Sequence, residues 1–122
     1  MDIVLQRYLA GERNFVDEEF DDMTNDLQGA NLAGSDFSRT FIYANFRGAN
    51  LQGVKFVHAN VKTCDFTDAN LRDADFSGAA LDGADFVNAD LTGAVFTGAT
   101  VQGQCYSQGE VPGHWPGGDA SS

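Results

Sequence analysis

The sequence predicts a repeat fold, a four-sided coil stacked on itself, and three observations lead to it. A large apolar residue recurs at every fifth position: Phe46, Leu51, Phe56, Val61, Phe66, Leu71, Phe76, Leu81, Phe86, Leu91, Phe96, Val101 and Tyr106. A small residue stands two positions before each, nearly always Ala, with Val54, Cys64 and Gln104 as departures. The large positions also alternate aromatic and aliphatic, so an even number of sides keeps like above like. A period of five is neither helical nor that of a flat strand; it is an internal repeat, which sets the architecture. With four sides, residues twenty apart stack, giving the columns Phe46/Phe66/Phe86/Tyr106, Leu51/Leu71/Leu91, Phe56/Phe76/Phe96 and Val61/Leu81/Val101. A three-sided coil would set Phe over Leu or Val throughout. Stacked rings of one kind pack with regular offsets, and each coil buries its core only against its neighbours.

Each unit reads Ala-(Asp/Asn)-(Leu/Phe)-x-x, as in Ala69-Asn70-Leu71-Arg72-Asp73 and Ala84-Asp85-Phe86-Val87-Asn88. This pattern resembles the pentapeptide-repeat family over most of the chain. The resemblance implies an all-β fold, a right-handed quadrilateral β-solenoid in which one pentapeptide makes one side. The large and small residues then point inward and the other three face water. Ala suits the small slot because a narrow tube brings facing chains close. Gly at the last position, as in Gly48 and Gly53, suits corner turns with unusual dihedrals.

The elements follow in order. Residues 1–12 predict a capping helix. Ile3, Val4, Leu5, Tyr8 and Leu9 fall on one helical face, Asp2 is placed to cap its start, and Gly11 stops it. It should lie across the first coil, because an open solenoid end exposes unpaired strand groups. Residues 13–108 predict the solenoid, about five coils. Its first coil has faults: Arg13-Asn14-Phe15 and Glu18-Glu19-Phe20 begin it, about two extra residues sit at Met23 and Thr24, and Arg39-Thr40-Phe41 comes one residue early, making a short unit near Ser38. Residues 109–122 form a Gly/Pro-rich tail with the only Trp, partly disordered by composition. Trp115 either caps the last coil or stands out as a partner anchor.

At 122 residues the chain is one domain with net charge −11. Residues 1–38 carry −7, residues 39–72 carry +3, and residues 73–122 carry −7, so a mixed waist lies between acidic ends. Such a surface repels nucleic acid directly and attracts basic partners. No apolar leader or membrane-length run appears, and Cys64 and Cys105 make no disulfide framework, so a cytoplasmic protein without membrane contact is expected. His58 and His114 are the only histidines, and no metal-ligand or phosphate-loop spacing occurs. No catalytic, metal or cofactor site is expected.

The register groups the acids instead. Asp65, Asp68 and Asp85 project from the side that holds Phe66 and Phe86, with Asp73 and Asp90 on the next. The first coil adds Asp17, Glu18 and Glu19. These carboxylates and Trp115 are the candidate partner-binding residues. The leading reading is a non-catalytic monomeric module that blocks a basic, nucleic-acid-acting protein, as the immunity partner of a nuclease-type toxin. The resemblance implies an alternative, because some pentapeptide-repeat proteins mimic a DNA duplex and protect or inhibit type II topoisomerases such as gyrase. This chain departs from those members in its short length, positive waist and lack of a C-terminal pairing helix. The third reading is a structural docking module with no private ligand.

The assignment of inward and outward positions is testable. Phe66→Ala should cost about 3–5 kcal/mol in chemical denaturation by opening a cavity, whereas Arg72→Ala should change stability by less than about 0.5 kcal/mol. Equal costs would overturn it.

Overall fold

The computed structural model describes residues 2–102 and 104–106. From Asn45 onward the backbone pairs in parallel with itself every twenty residues: Asn45 with Asp65, Asn50 with Asn70, Lys55 with Asp75, Asn60 with Ala80, and on to Ala80 with Thr100. Twenty residues are four units, so each coil has four walls and the chain is a β-solenoid. From Asn45 to Thr100 each unit contributes one bridge and one corner. Phe66 N–H donates to the Asp85 carbonyl one coil onward, Asp65 N–H donates to the Ala44 carbonyl one coil back, and Ala69 N–H closes the corner on the Phe66 carbonyl.

The inward residues line four walls. The first holds Leu27, Phe46, Phe66 and Phe86; the second, Leu32, Leu51, Leu71 and Leu91; the third, Phe15, Phe37, Phe56, Phe76 and Phe96; the fourth, Phe20, Ile42, Val61, Leu81 and Val101. On the third wall successive rings stack at 4.8, 5.4, 5.0 and 4.8 Å. The aromatic first and third walls face each other, and their rings meet edge to face across the tube, as Phe66 and Phe76 do at 5.5 Å and 88°. The Ala slots from Ala44 to Ala84 are closed to solvent, and Ala89 and Ala94 are half-buried.

Helix α1 (Ile3–Leu9) covers the first coil. Asp2 caps it by accepting from Val4 N–H at 2.8 Å. Val4 is buried, Leu5 and Tyr8 pack against the core, and the Tyr8 hydroxyl donates to the Ala33 carbonyl. Ile3 and Leu9 were expected on the same face but point to solvent, at 52% and 65% exposure. A seven-residue helix lying on a narrow tube has room to bury only its central turn.

Of the two faults of the first coil, the bulge lies where the sequence suggests, around Met23 and Thr24, and the short unit lies elsewhere. Strand β1 (Glu19–Asp26) pairs in parallel with β2 (Phe41–Asn45). Phe20 faces Ile42 and Asn25 faces Ala44, so β1 advances five residues while β2 advances two. The mismatch of three residues combines two extra in β1, where Phe20 to Leu27 takes seven residues, with one missing from β2, where Ile42 to Phe46 takes four, and buried Asn25 spans the bulge by donating its amide to the Phe20 and Tyr43 carbonyls. The short unit is β2 itself. Ile42, five residues after Phe37, takes the inward slot; Phe41, expected inward, is exposed. At the far end β3 (Thr100–Val101) and β4 (Gln104–Cys105) pair antiparallel, and Tyr106 meets Phe96 edge-on at 6.2 Å. The parallel register thus stops before Tyr106. The tail and Trp115 lie outside the described residues.

Corners demand a left-handed residue, the third position of a type II turn. Gly48 sits there at φ +66° with open space where a Cβ would lie, and Thr63 sits there at φ +62°. Gly48→Ala should cost about 1 kcal/mol from backbone conformation alone, and Thr63→Gly should gain a few tenths to about 1 kcal/mol. Thermal unfolding of both variants checks the sign at each position.

Candidate functional site

The Asp or Asn before each inward residue closes the next corner. Asp65 accepts from Thr67 N–H at 3.0 Å, Asp85 from Val87 N–H at 3.0 Å and Asp90 from Thr92 N–H at 3.1 Å; Asn45, Asn50, Asn60 and Asn70 do the same on other units. These are Asx turns, which require a short side chain with an acceptor oxygen. Asp and Asn serve equally, so the choice of Asp is free to report on charge.

The predicted carboxylates fall into two groups. In the first, a base stands beside each acid. Arg47 meets Asp65 and Arg72 meets Asp90, both at 3.2 Å; Arg39 grips Asp17 through two bonds of 2.7 and 3.1 Å. Arg7 forms two bonds of 2.6 Å with Glu18 while its guanidinium lies 4.7 Å over the Phe15 ring. That last pair belongs to the cap, because it ties α1 to the first coil over an aromatic face. In the second group, Asp68, Asp73, Asp85 and Glu19 carry no ion pair among the described residues. Asp68 and Asp73 stand exposed at corners beside the first and second walls, with Asp85 on the first wall. The expected strip on those two walls is therefore interrupted by Arg47 and Arg72. Asp75 on the third wall and Asp82 on the fourth extend the acids around the tube, and the strip reading left them out although the twenty-residue register places both.

The protonation behaviour follows from these contacts. Arg7 holds the Glu18 carboxyl below the ordinary range despite partial burial, and Arg39 does the same for Asp17. Burial opposes ionisation at Asp65, but the Thr67 hydroxyl and N–H with Arg47 outweigh it, so its pKa is lowered. Asp90 is lowered by the Thr92 hydroxyl and N–H, with Arg72 adding to them. Burial pushes the Cys64 thiol up to about 12, which leaves it a core filler rather than a nucleophile.

A second feature escaped the sequence reading. Because β2 is extended, Phe41 and Tyr43 share its outer face, each 44% exposed, while Ile42 and Ala44 point inward. With Asn60, Lys62 and Thr63 they line a shallow depression of about 240 Å³ on the fourth wall. Treating Phe41 as a core residue hid it; the five-residue step from Phe37 to Ile42 was the signal available. Among the described residues no group of three His, Cys, Asp or Glu is placed to hold a metal ion, and no helix is long and apolar enough to cross a membrane.

The family model for pentapeptide repeats matches residues 26–68 and 69–103, with eight copies. The chain belongs to the pentapeptide-repeat family. No curated protein matches it. Among solved structures, this pentapeptide-repeat protein is similar to alr5209 from Nostoc PCC 7120, at 32% identity over 88% of this chain and 85% of that one, with a TM-score of 0.38. It is similar to HetL from the cyanobacterium Nostoc sp. strain PCC 7120, a pentapeptide repeat protein involved in heterocyst differentiation regulation, at 25% identity over 76% of this chain and a TM-score of 0.38. The pentapeptide-repeat chain described here spans 49% of HetL's length. QnrB1, a plasmid-mediated fluoroquinolone resistance protein, shows 20% identity over 70% of this chain and 68% of its own, with a TM-score of 0.33.

The ion pairs of this pentapeptide-repeat protein set an acid limit. Glu18, Asp17, Asp65 and Asp90 have folded pKa values below their unfolded ones, so the folded state takes up protons less readily. Their stabilisation is complete above about pH 4.5 and is lost as pH falls through the depressed values. Melting temperature should hold from pH 7 to 5 and drop below about pH 4. Glu18→Gln should lower the plateau and flatten the drop; an unchanged acid limb would remove the cap pair from the account.

Proposed function

We propose that this protein is a non-catalytic binding module that covers the basic surface of a nucleic-acid-acting protein in the cytoplasm, as the immunity partner of a nuclease-type toxin. One observation carries the reading. After Arg72 the chain has no Lys or Arg, while Asp73, Asp75, Asp82 and Asp85 stand on all four sides of the last coils with no ion pair among the described residues. Together with Asp68 they form an acidic girdle on a tube whose walls are tied coil to coil by backbone hydrogen bonds. A rigid array of this kind loses little freedom when it binds, and its field raises the association rate with a basic partner. The paired carboxylates, Asp17, Glu18, Asp65 and Asp90, serve chiefly to hold the fold.

The test is titration calorimetry against the product of a toxin-like neighbouring reading frame, at low and high salt. Binding should be tight and weaken with salt. Asp68→Asn/Asp73→Asn/Asp85→Asn should lose at least about tenfold in affinity, with an unchanged melting curve because Asn keeps the Asx turn at residue 85. Unchanged affinity would exclude the girdle as the contact surface. A supercoiling assay with purified gyrase examines the alternative partner; inhibition or protection at micromolar protein would replace the toxin reading.

A further inference from the structure

The fourth wall is the least regular outer surface, and its residues are ordered along the tube in a telling way. Parallel bridges run Phe41–Asn60, Asn60–Ala80 and Ala80–Thr100, and two residues onward the same four layers present Tyr43, Lys62, Asp82 and Gln102. Bulk therefore lies toward one end, with Phe41 and Tyr43 in the second layer, next to a first-coil layer in which Glu19 pairs with Phe41. At the other end Ala80, Gly83 and Thr100 leave the surface low. Between them sit one cation and one anion in adjacent layers. Lys62 is exposed and makes no ion pair among the described residues, not even with Asp82. Asp82 spends one oxygen on Gln102 N–H at 2.7 Å and is otherwise unpaired.

Such a wall is complementary to itself when turned end for end. A two-fold axis running along the strands, midway between the Lys62 and Asp82 layers, reverses the order of layers and keeps each residue's position across the wall. Lys62 then faces Asp82 of the second copy, and by symmetry Asp82 faces Lys62. Phe41 falls opposite Thr100, Tyr43 opposite Gln102, Asn60 opposite Ala80, and Thr63 opposite Gly83. The aromatic end fills the low end in both directions. No other wall pairs an exposed aromatic strand with a free cation among the described residues. We propose that the wall carrying β2 is a docking surface for a second copy of this chain, forming an antiparallel two-fold dimer through two reciprocal Lys62–Asp82 contacts. The contact uses only four of the wall's five layers, so the dimer is weak and forms at high protein concentration. It covers Asp82 of the acidic girdle but leaves Asp68, Asp73, Asp75 and Asp85 on the outside, and its test reads self-association rather than binding to a basic partner.

Sedimentation equilibrium of the full chain up to submillimolar concentration tests it, with thermal melting as a control for folding. The wild type should show a reversible monomer–dimer equilibrium. Lys62→Asp should weaken it at least about tenfold, because like charges then face each other. Asp82→Lys moves the formal charge from −11 to −9, since one acid is lost and one base gained, and so reduces overall repulsion; it should nevertheless weaken the dimer. Lys62→Asp/Asp82→Lys has the wild-type net charge and should restore it. Phe41→Ser/Tyr43→Ser, both at exposed positions, should abolish it without lowering the melting temperature. A monomer at every concentration overturns the proposal. So does association that Asp82→Lys strengthens, or that the double charge exchange fails to restore.

Discussion

Ring on ring and strand on strand share one spacing in this protein, and the rest of the structure depends on that agreement. Phenylalanines stack at 4.8 to 5.4 Å along the third wall and at 5.1 and 5.0 Å along the first. Strands stack at about 4.8 Å. One rise therefore satisfies the backbone ladder and the offset packing of the rings together. From Phe46 to Phe96 a twenty-residue coil sets Phe on Phe and aliphatic on aliphatic in every column, which a fifteen-residue coil would not. The two aromatic walls then interlock edge to face, and Phe46, Phe56, Phe66, Phe76, Phe86 and Phe96 form a single zigzag through the axis. A tube filled in this manner keeps its chemistry on the outside.

That outside is less free than it looks. The Asx turns need an acceptor oxygen at nearly every bridge, so a regular row of Asp and Asn is a structural consequence of the corners. The demand is met by Asn as well as Asp, so it places the acids without requiring their charge. The second wall meets it with amides in its first three layers, before Asp90, and Asn31, Asn50 and Asn70 also bond to one another along the tube. Where carboxylates are used, Arg47 and Arg72 answer two of them at the waist. Beyond Arg72 no Lys or Arg remains, so Asp75 and Asp85 close their turns with no ion pair among the described residues, and this sets the girdle apart from Asp65 and Asp90 at the waist.

The two faults of the first coil add together in one ladder. β1 is too long and β2 too short, and they pair in one bulged ladder that Asn25 stitches from within. Losing one residue removes the corner from β2, so the strand runs straight and alternates in and out over five residues. Two aromatic rings consequently reach solvent where every other unit of that wall shows a short or polar side chain. An irregularity in a repeat thus creates the one wall with a distinct surface.

The period of five, the alternation of Phe with Leu and Val, and the small slots were legible in the sequence because each reports on a contact between residues at constant separation. They determined the four walls, the buried column from Phe46 to Phe96, and the walls that bear Asp65, Asp85 and Asp90. The cap was legible in part: the apolar helix and Asp2 were visible, but the Arg7 grip on Glu18 over Phe15 joins residues whose spacing obeys no period. The position of the short unit turned on a choice between Phe41 and Ile42 for one inward slot, two apolar neighbours that local sequence does not rank. The ion pairs of Asp17, Asp65 and Asp90 likewise depended on which coil each arginine sits under. By itself, then, the sequence determined the scaffold, since a repeat repeats its own contacts; only the tertiary structure decided which outer side chains are engaged and which stand free, because that rests on neighbours brought together across coils of unequal length.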